Sequence, residues 1–342
     1  MIRVYDLNLN RKGYIENFYS LIWSRNYYES GKFELHCPLT SDNIDLLQED
    51  RIIAKDNTVE SGIIENIEYQ DYSKKIIVKG RFLSSLLERR LIKSTFSFNG
   101  LTEVAMHNLV DYVTPIPNLH NSNLEGFDNI VTFQATMKNL LTIMTKLSKT
   151  SNIGYRIKAD FVDKKLYFQT YEGTDRTINK QNRVIFSEEY GNLTDISYSY
   201  NGSIYKSKAI VGGEGEGSSR VYVEVGSGEG YDLREVFVDA KDIRSSDFSS
   251  NDDYLNALRQ KGYEKLSTFA KVDSFDYQIN NFGNFKYKEN YDLGDIVTIQ
   301  KKDWGITLNK RITGIEEVYE NGGMTLTATL GEPIPEKINM ED

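Results

Sequence analysis

The sequence predicts a β-rich α+β chain made of two β-rich units with mixed α/β and helical insertions. Three observations carry that prediction. Residues 1–95 alternate polar and apolar side chains, residues 96–185 change to helical spacing, and short alternating segments return beyond residue 186. At 342 residues the chain is long enough for two or three domains and for a core without covalent staples.

The first strands are expected at Ile2 to Leu7, Tyr19 to Trp23 and Lys32 to Cys37, with turn chemistry at Glu29-Ser30-Gly31. Ser41-Asp42-Asn43 ahead of Ile44, Leu46 and Leu47 reads as a capped short helix. Arg51 to Ala54, Gly62 to Tyr69 and Lys75 to Lys79 complete a compact barrel or sandwich. Glu103 to Val113 is expected to be helical, and Met137, Leu140, Leu141, Met144 and Leu147 share one face of a second helix. Pro115 and Pro117 break the chain between them. A hairpin follows, Ile153 to Lys158 with Lys165 to Tyr171.

Strands resume over Leu193 to Val211, Arg220 to Val225 and Glu235 to Asp239, separated by glycine-rich stretches at 212–217 and 226–230. Asn251-Asp252-Asp253 caps a helix carrying Leu255, Leu258, Leu266 and Phe269. A meander closes the chain: Asp295 to Lys301, Ile306 to Ile315 and Met324 to Leu330, with turns at 302–305 and 320–323.

Composition narrows the function. Hydrophobic residues make up 39% and charged residues 27%, with 5 prolines, so the whole chain is expected to be ordered. The single cysteine, Cys37, excludes an internal disulfide and suits a reducing cytoplasm. The start lacks a basic segment followed by an apolar one, and no run of about 18 apolar residues occurs, so neither a signal peptide nor a membrane span is expected. With 41 basic and 50 acidic residues the formal charge is -9, which argues against a binder of phosphate backbones. The 23 tyrosines favour pleated surfaces and interfaces with a wet hydroxyl edge.

Catalytic chemistry finds little purchase. His36, His107 and His120 sit in no active-site motif, and no zinc-ligand spacing occurs. Paired carboxylates are the currency of a glycosidase, but Glu188-Glu189, Asp252-Asp253 and Glu316-Glu317 point to opposite faces of a strand and read as solvent-facing charge or caps. The run Gly212 to Gly217 lacks the lysine and hydroxyl of a phosphate loop, and Glu214 and Glu216 repel phosphate; a hairpin or interface loop is expected. Catalytic, cofactor and metal sites are therefore not expected. Two rivals remain: a carbohydrate-binding module that stacks sugars on tyrosines, and a peptidoglycan hydrolase.

A set of segments stands in a fixed order: Trp23-Ser24-Arg25 with Ser30-Gly31-Lys32-Phe33-Glu34-Leu35, then Gly62 to Glu68, Val78 to Leu83, and Leu87-Glu88-Arg89-Arg90. Farther on come Val184 to Ser187, the Gly213 and Gly215 loop before Arg220, Val238 to Asp242, and Tyr291-Asp292-Leu293-Gly294-Asp295-Ile296-Val297. Together these segments resemble the tail-hub family of siphophages and prophages, with the matching positions Trp23, Gly31, Phe33, Gly62, Gly80, Arg89, Arg90, Gly213, Gly215, Arg220, Gly294 and Asp295.

The resemblance implies two tube-like β-barrels, one at 1–95 and one from 186–238 with 272–334. A mixed insertion at 96–185, a helical insertion at 239–271 and a short tail at 335–342 complete the chain. It implies a homotrimeric ring at the tail tip of a virion, assembled in the host cytoplasm. Six barrels would face the six-fold tail tube and distal tail proteins, with the tape-measure protein and tip fibre or lysin chains as further partners. DNA would cross the channel without being specifically bound, and an acidic lumen would repel it. Any lytic domain is expected on another polypeptide. Gly294 is expected at positive φ ahead of a strand.

Overall fold

A computed structural model describes residues 1–269, 272–279 and 283–331. The tail expected at 335–342 lies outside these. Alternation does build strands where it was read: Ser20–Asn26 and Lys32–Pro38 bury every second side chain, and they pair antiparallel. Leu21, Trp23 and Leu35 point into the core, and full burial of such a side chain contributes about 1.5–3 kcal/mol.

The two β-rich units are joined in one sheet. Among the described residues it has fourteen strands, eleven in the order Leu193–Asn201, Val272–Ile279, Gly323–Gly331, Ile306–Glu320, Ser20–Asn26, Lys32–Pro38, Lys75–Phe82, Ser61–Gln70, Ile52–Lys55, Ile2–Tyr5 and Arg11–Ile15. The other three are Ile296–Lys301, paired with Ile306–Glu320, and Asp175–Arg176 and Ile185–Ser187, paired with Ile296–Lys301. The seam between the units is the antiparallel pair of Ile306–Glu320 with Ser20–Asn26, in register from Gly314 opposite Asn26 to Glu320 opposite Ser20. Each half keeps its own core, one around Trp23, Phe33 and Val78, the other around Tyr27, Phe186 and Leu326. Among the described residues the path is open at Leu193–Asn201 and Arg11–Ile15, so the barrels expected from the resemblance meet an unclosed sheet.

Three differences from the sequence reading have physical reasons. The strand Arg11–Ile15 went unread because it exposes most of its residues and shows little alternation; it pairs with Ile2–Tyr5 around a loop held by Asp6, whose carboxylate accepts from the N–H of Asn8 and Asn10. The second helix starts at Leu140, not Met137, because Asn139 caps it by accepting from Thr142 N; Met137 has a φ of 51° and is exposed. It ends at Asn152 in the left-handed conformation that closes helices.

The third difference is topological. The strands Lys208–Gly212, Tyr222–Gly226 and Glu235–Asp239, read with the second unit, pair only with one another among the described residues, and the helix Asn251–Thr268 covers one face of that small sheet. The expected run from 193 to 211 breaks after Asn201, whose side chain accepts from Ser203 and turns the chain. Residues 208–268 thus form a satellite with its own core around Val211, Val223, Tyr254 and Leu258.

The middle region packs the helices Thr102–Tyr112 and Leu140–Ser151 with the hairpin Gly154–Asp160 and Lys165–Tyr171. A two-stranded ribbon, Phe96–Leu101 with Ile130–Ala135, went unread there. In the first turn of the first helix, buried Glu103 accepts from the N–H groups of Glu125, Gly126 and Phe127 and from Thr170, pinning the loop that passes over it.

Candidate functional site

The first five residues singled out by the resemblance meet in one place. The Trp23 ring lies 5.9 Å from Phe33 and 4.7 Å from Phe82. Glycines make room for these rings: a Cβ on Gly62 would fall 2.3 Å from the Phe33 ring, and one on Gly31 2.5 Å from Phe82. At Gly80 the obstacle is backbone, since a Cβ there would sit 1.8 Å from the Ile63 carbonyl oxygen. Trp23, Gly31, Phe33, Gly62 and Gly80 are thus one packed cluster in the first half of the sheet.

On the same strand, two residues along from Trp23, Arg25 takes the inward position and starts a polar network across the seam. Its side chain is 2% exposed. Nη2 donates to Glu60 Oε1 at 2.8 Å, and Nη1 donates to Asp292 Oδ1 at 2.5 Å and to the Tyr287 hydroxyl at 2.7 Å. The Tyr287 hydroxyl in turn donates to Glu317 Oε1 at 3.1 Å. Glu317 is held on its other oxygen by Lys55 and by the Tyr319 hydroxyl, which itself accepts from Lys55. Lys288 adds a charge 3.5 Å from Glu317, and Arg156 of the middle hairpin lies 3.9 Å from Glu60.

The opposite charges in this network support each other, although burial, with Lys288 and Arg25 nearby, holds Lys55 below its ordinary value. Burial disfavours the Arg25 cation, but Glu60, Tyr287 and Asp292 outweigh it and hold its pKa well above the usual value. Burial would raise Glu60, yet the Arg25 charge and hydrogen bond hold its carboxyl below the usual range. Burial likewise opposes ionised Glu317, and Lys55 with its hydrogen bonds wins and lowers it. Tyr287 is pushed up chiefly by burial and stays a neutral donor. Arg25 of the first half reaches Tyr287 and Asp292 of the second, and Lys55 of the first reaches Glu317 of the second, so the network can fix the angle between two packed halves.

A second contact point lies at the end of the second half. Gly294 has a φ of 95°, as expected of a residue only glycine fits comfortably, and a Cβ on it would meet the Tyr27 ring at 2.6 Å. Asp295 accepts from Thr174 N and Arg176 Nε, both at 2.6 Å, and from Asp292 N at 3.0 Å. Arg311 donates to Gly294 O at 2.6 Å and stacks its guanidinium over Tyr27 at 4.9 Å. The Tyr27 hydroxyl, pushed up to about 12 by burial, donates to Asn152 O at 3.0 Å in the middle region.

The remaining matched positions lie apart. Arg89 pairs with Asp50 at 2.6 Å, and Arg90 donates to the carbonyls of Thr114 and Pro115. In the satellite, Gly213 packs against Tyr254 and Gly215 has a φ of 103°. Arg220 donates to the carbonyls of Gly212 and Gly213 and pairs with Asp239, so the glycine-rich run is a hairpin loop pinned by its own arginine.

Sequence reasoning missed Lys55, Glu60, Tyr287, Glu317 and Tyr319. Glu317 corrects the expectation of solvent-facing charge at Glu316-Glu317: it is 1% exposed, while Glu316 faces outward and accepts from Ser24. The signal was parity, since Glu317 shares the inward set with Ile315 and Arg25 shares it with Leu21 and Trp23. His36 lies 2.6 Å from Glu34, His107 is buried against Thr170, and His120 is exposed beside Tyr167. Among the described residues no group of three His, Cys, Asp or Glu side chains could hold a metal ion, and no helix is long and apolar enough to cross a membrane.

The fold recurs in solved structures of low identity. The tail protein from Neisseria meningitidis MC58 is 11% identical with a TM-score of 0.60, covering 97% of this chain and 96% of that one. The 43 kDa tail protein of prophage MuSo2 from Shewanella oneidensis is 10% identical with a TM-score of 0.61, covering 96% and 97%. Prophage tail protein gp18 from Listeria monocytogenes EGD-e is 13% identical with a TM-score of 0.59, covering 98% and 95%. No curated protein matches in sequence. The Siphovirus ReqiPepy6 Gp37-like protein family matches residues 1–332, and the chain belongs to that family.

Proposed function

We propose that this chain is a structural, non-enzymatic hub of a phage tail. The observation that carries the reading is the shared fold over nearly the full length of both chains in each of three tail proteins. In this reading three subunits form a ring at the tail tip, and each half of the sheet acts as one tube-like barrel. Six such units face a six-fold tail tube above, and three-fold tip or fibre chains lie below. The channel lets DNA pass without binding it, in keeping with the formal charge of -9. The buried network at the seam supports this role, because a ring that presents two units in quasi-equivalent positions needs their relative angle fixed.

Solution mass by light scattering over a range of concentrations, with negative-stain images of the same sample, tests it. Three subunits around a central channel are expected. A different subunit number, or a monomer that persists after tail-tube protein is added, overturns the ring. Clearing of peptidoglycan in a zymogram, lost on replacing one carboxylate, overturns the non-enzymatic reading.

A further inference from the structure

The chain contains three Asn-Gly steps, Asn99-Gly100, Asn201-Gly202 and Asn321-Gly322, and the structure treats them differently. Asn99 lies in a paired strand, and both ends of its amide are engaged: Nδ2 donates to Asp253 Oδ1 and Oδ1 accepts from Thr132, each at 2.9 Å. Asn201 has its Oδ1 held by the N–H and hydroxyl of Ser203, and the Gly202 carbonyl is fixed by Arg234 at 2.9 Å. Asn321 is exposed in the two-residue turn between Glu320 and Gly323, and its side chain makes no hydrogen bond among the described residues. Its neighbour Gly322 has open space where a side chain would be.

We propose that Asn321 is a site of spontaneous deamidation in the folded protein. The Gly322 backbone nitrogen attacks Asn321 Cγ, a nitrogen–carbon bond forms, and ammonia leaves with the backbone proton. Water then opens the cyclic succinimide at either carbonyl and gives aspartate or isoaspartate, with no oxidant or other co-reactant. Glycine suits this step because no side chain shields its nitrogen, and a loop tip supplies the freedom the attack needs. The product places a new carboxylate beside Glu320, in a shallow groove that Glu16, Phe18, Tyr19 and Met324 also line. In the isoaspartate form the main chain of the turn is longer by one methylene.

The test holds full-length protein in mildly alkaline buffer, native and urea-unfolded, and maps isoaspartate by peptide over time. Native protein is expected to convert at Asn321 first, with Asn99 and Asn201 protected, and unfolding is expected to bring the three rates together. Asn321→Gln is expected to remove the native signal. Conversion at Asn99 or Asn201 as fast as at Asn321 in the native state overturns the proposal. So does an Asn321 that converts only when unfolded.

Discussion

Arg25 Nη1 lies 2.5 Å from Asp292 Oδ1 across 267 residues of chain, while its Nη2 donates to Glu60 Oε1 at 2.8 Å. One guanidinium therefore neutralises carboxylates from both halves of the sheet. Its removal strands Glu60, which is buried, but leaves Asp292 with access to water. Arg25→Met is expected to cost about 3–5 kcal/mol in urea denaturation, the usual range for a buried pair that loses one partner. Arg25→Met with Glu60→Gln should recover part of that loss. A double-variant loss equal to the sum of the Arg25→Met and Glu60→Gln single losses would show that the two groups are not coupled.

Acid should loosen the same seam. Glu60 and Glu317 are both held below the ordinary carboxylate pKa, so the unfolded chain binds more protons than the folded one. Their stabilisation is complete above the unfolded glutamate value of about 4.3 and is lost as pH falls through the lower folded values. The share of the urea midpoint carried by these two carboxylates, read as the difference from Glu60→Gln and Glu317→Gln variants, is expected to hold level from neutral pH down to that point and then drop. Buried His107, held below its ordinary value by burial, adds an earlier fall common to all the variants. A midpoint that rises on acidification would contradict the sign.

Gly294→Val combines two penalties, a strained backbone at a φ of 95° and a collision with the Tyr27 ring. The backbone part alone is about 1–3 kcal/mol. Thermal unfolding should show a clear loss, smaller for Gly294→Ala. Wild-type unfolding of Gly294→Val would mean the segment rearranges without cost.

At Gly80 the obstacle is main chain, which cannot turn aside as a side chain can. Gly80→Ala is expected to lose at least about 1–3 kcal/mol, the common range for overpacking, whereas Gly322→Ala, with nothing near its side-chain position, should be close to neutral. Both are read from the same thermal unfolding experiment, and equal effects would remove the steric argument.

Glu103→Gln replaces a carboxylate that accepts from three backbone N–H groups with an amide that has one acceptor oxygen. Hydrogen exchange at the Glu125 and Gly126 amides should accelerate while the helix Thr102–Tyr112 keeps its protection. Unchanged exchange at these amides would show that the loop is held by other contacts.

What was legible in the sequence had a period. The strands Ser20–Asn26, Lys32–Pro38 and Ile306–Glu320 and the helix Leu140–Ser151 each bury a repeating set of side chains, and alternation or helical spacing finds them directly. Arg11–Ile15 lacks that repeat, and pairing with Ile2–Tyr5 alone makes it a strand. The separation of 208–239 from the main sheet is a matter of partner choice, which local pattern does not encode. At the seam, Arg25 and Asp292 lay within segments read from the resemblance. Inward parity marks Glu317 on its strand, while Lys55, Glu60 and Tyr287 belong to it only through contacts between segments distant in sequence.

The pairing of Ile306–Glu320 with Ser20–Asn26 also sets the order in which the molecule can be made. On the ribosome the early strands emerge first, and the edge of Ser20–Asn26 waits unpaired while some 280 residues follow, an interval set by the sequence separation of the seam. Contacts of such long range close slowly, and an exposed strand edge recruits other chains during the delay.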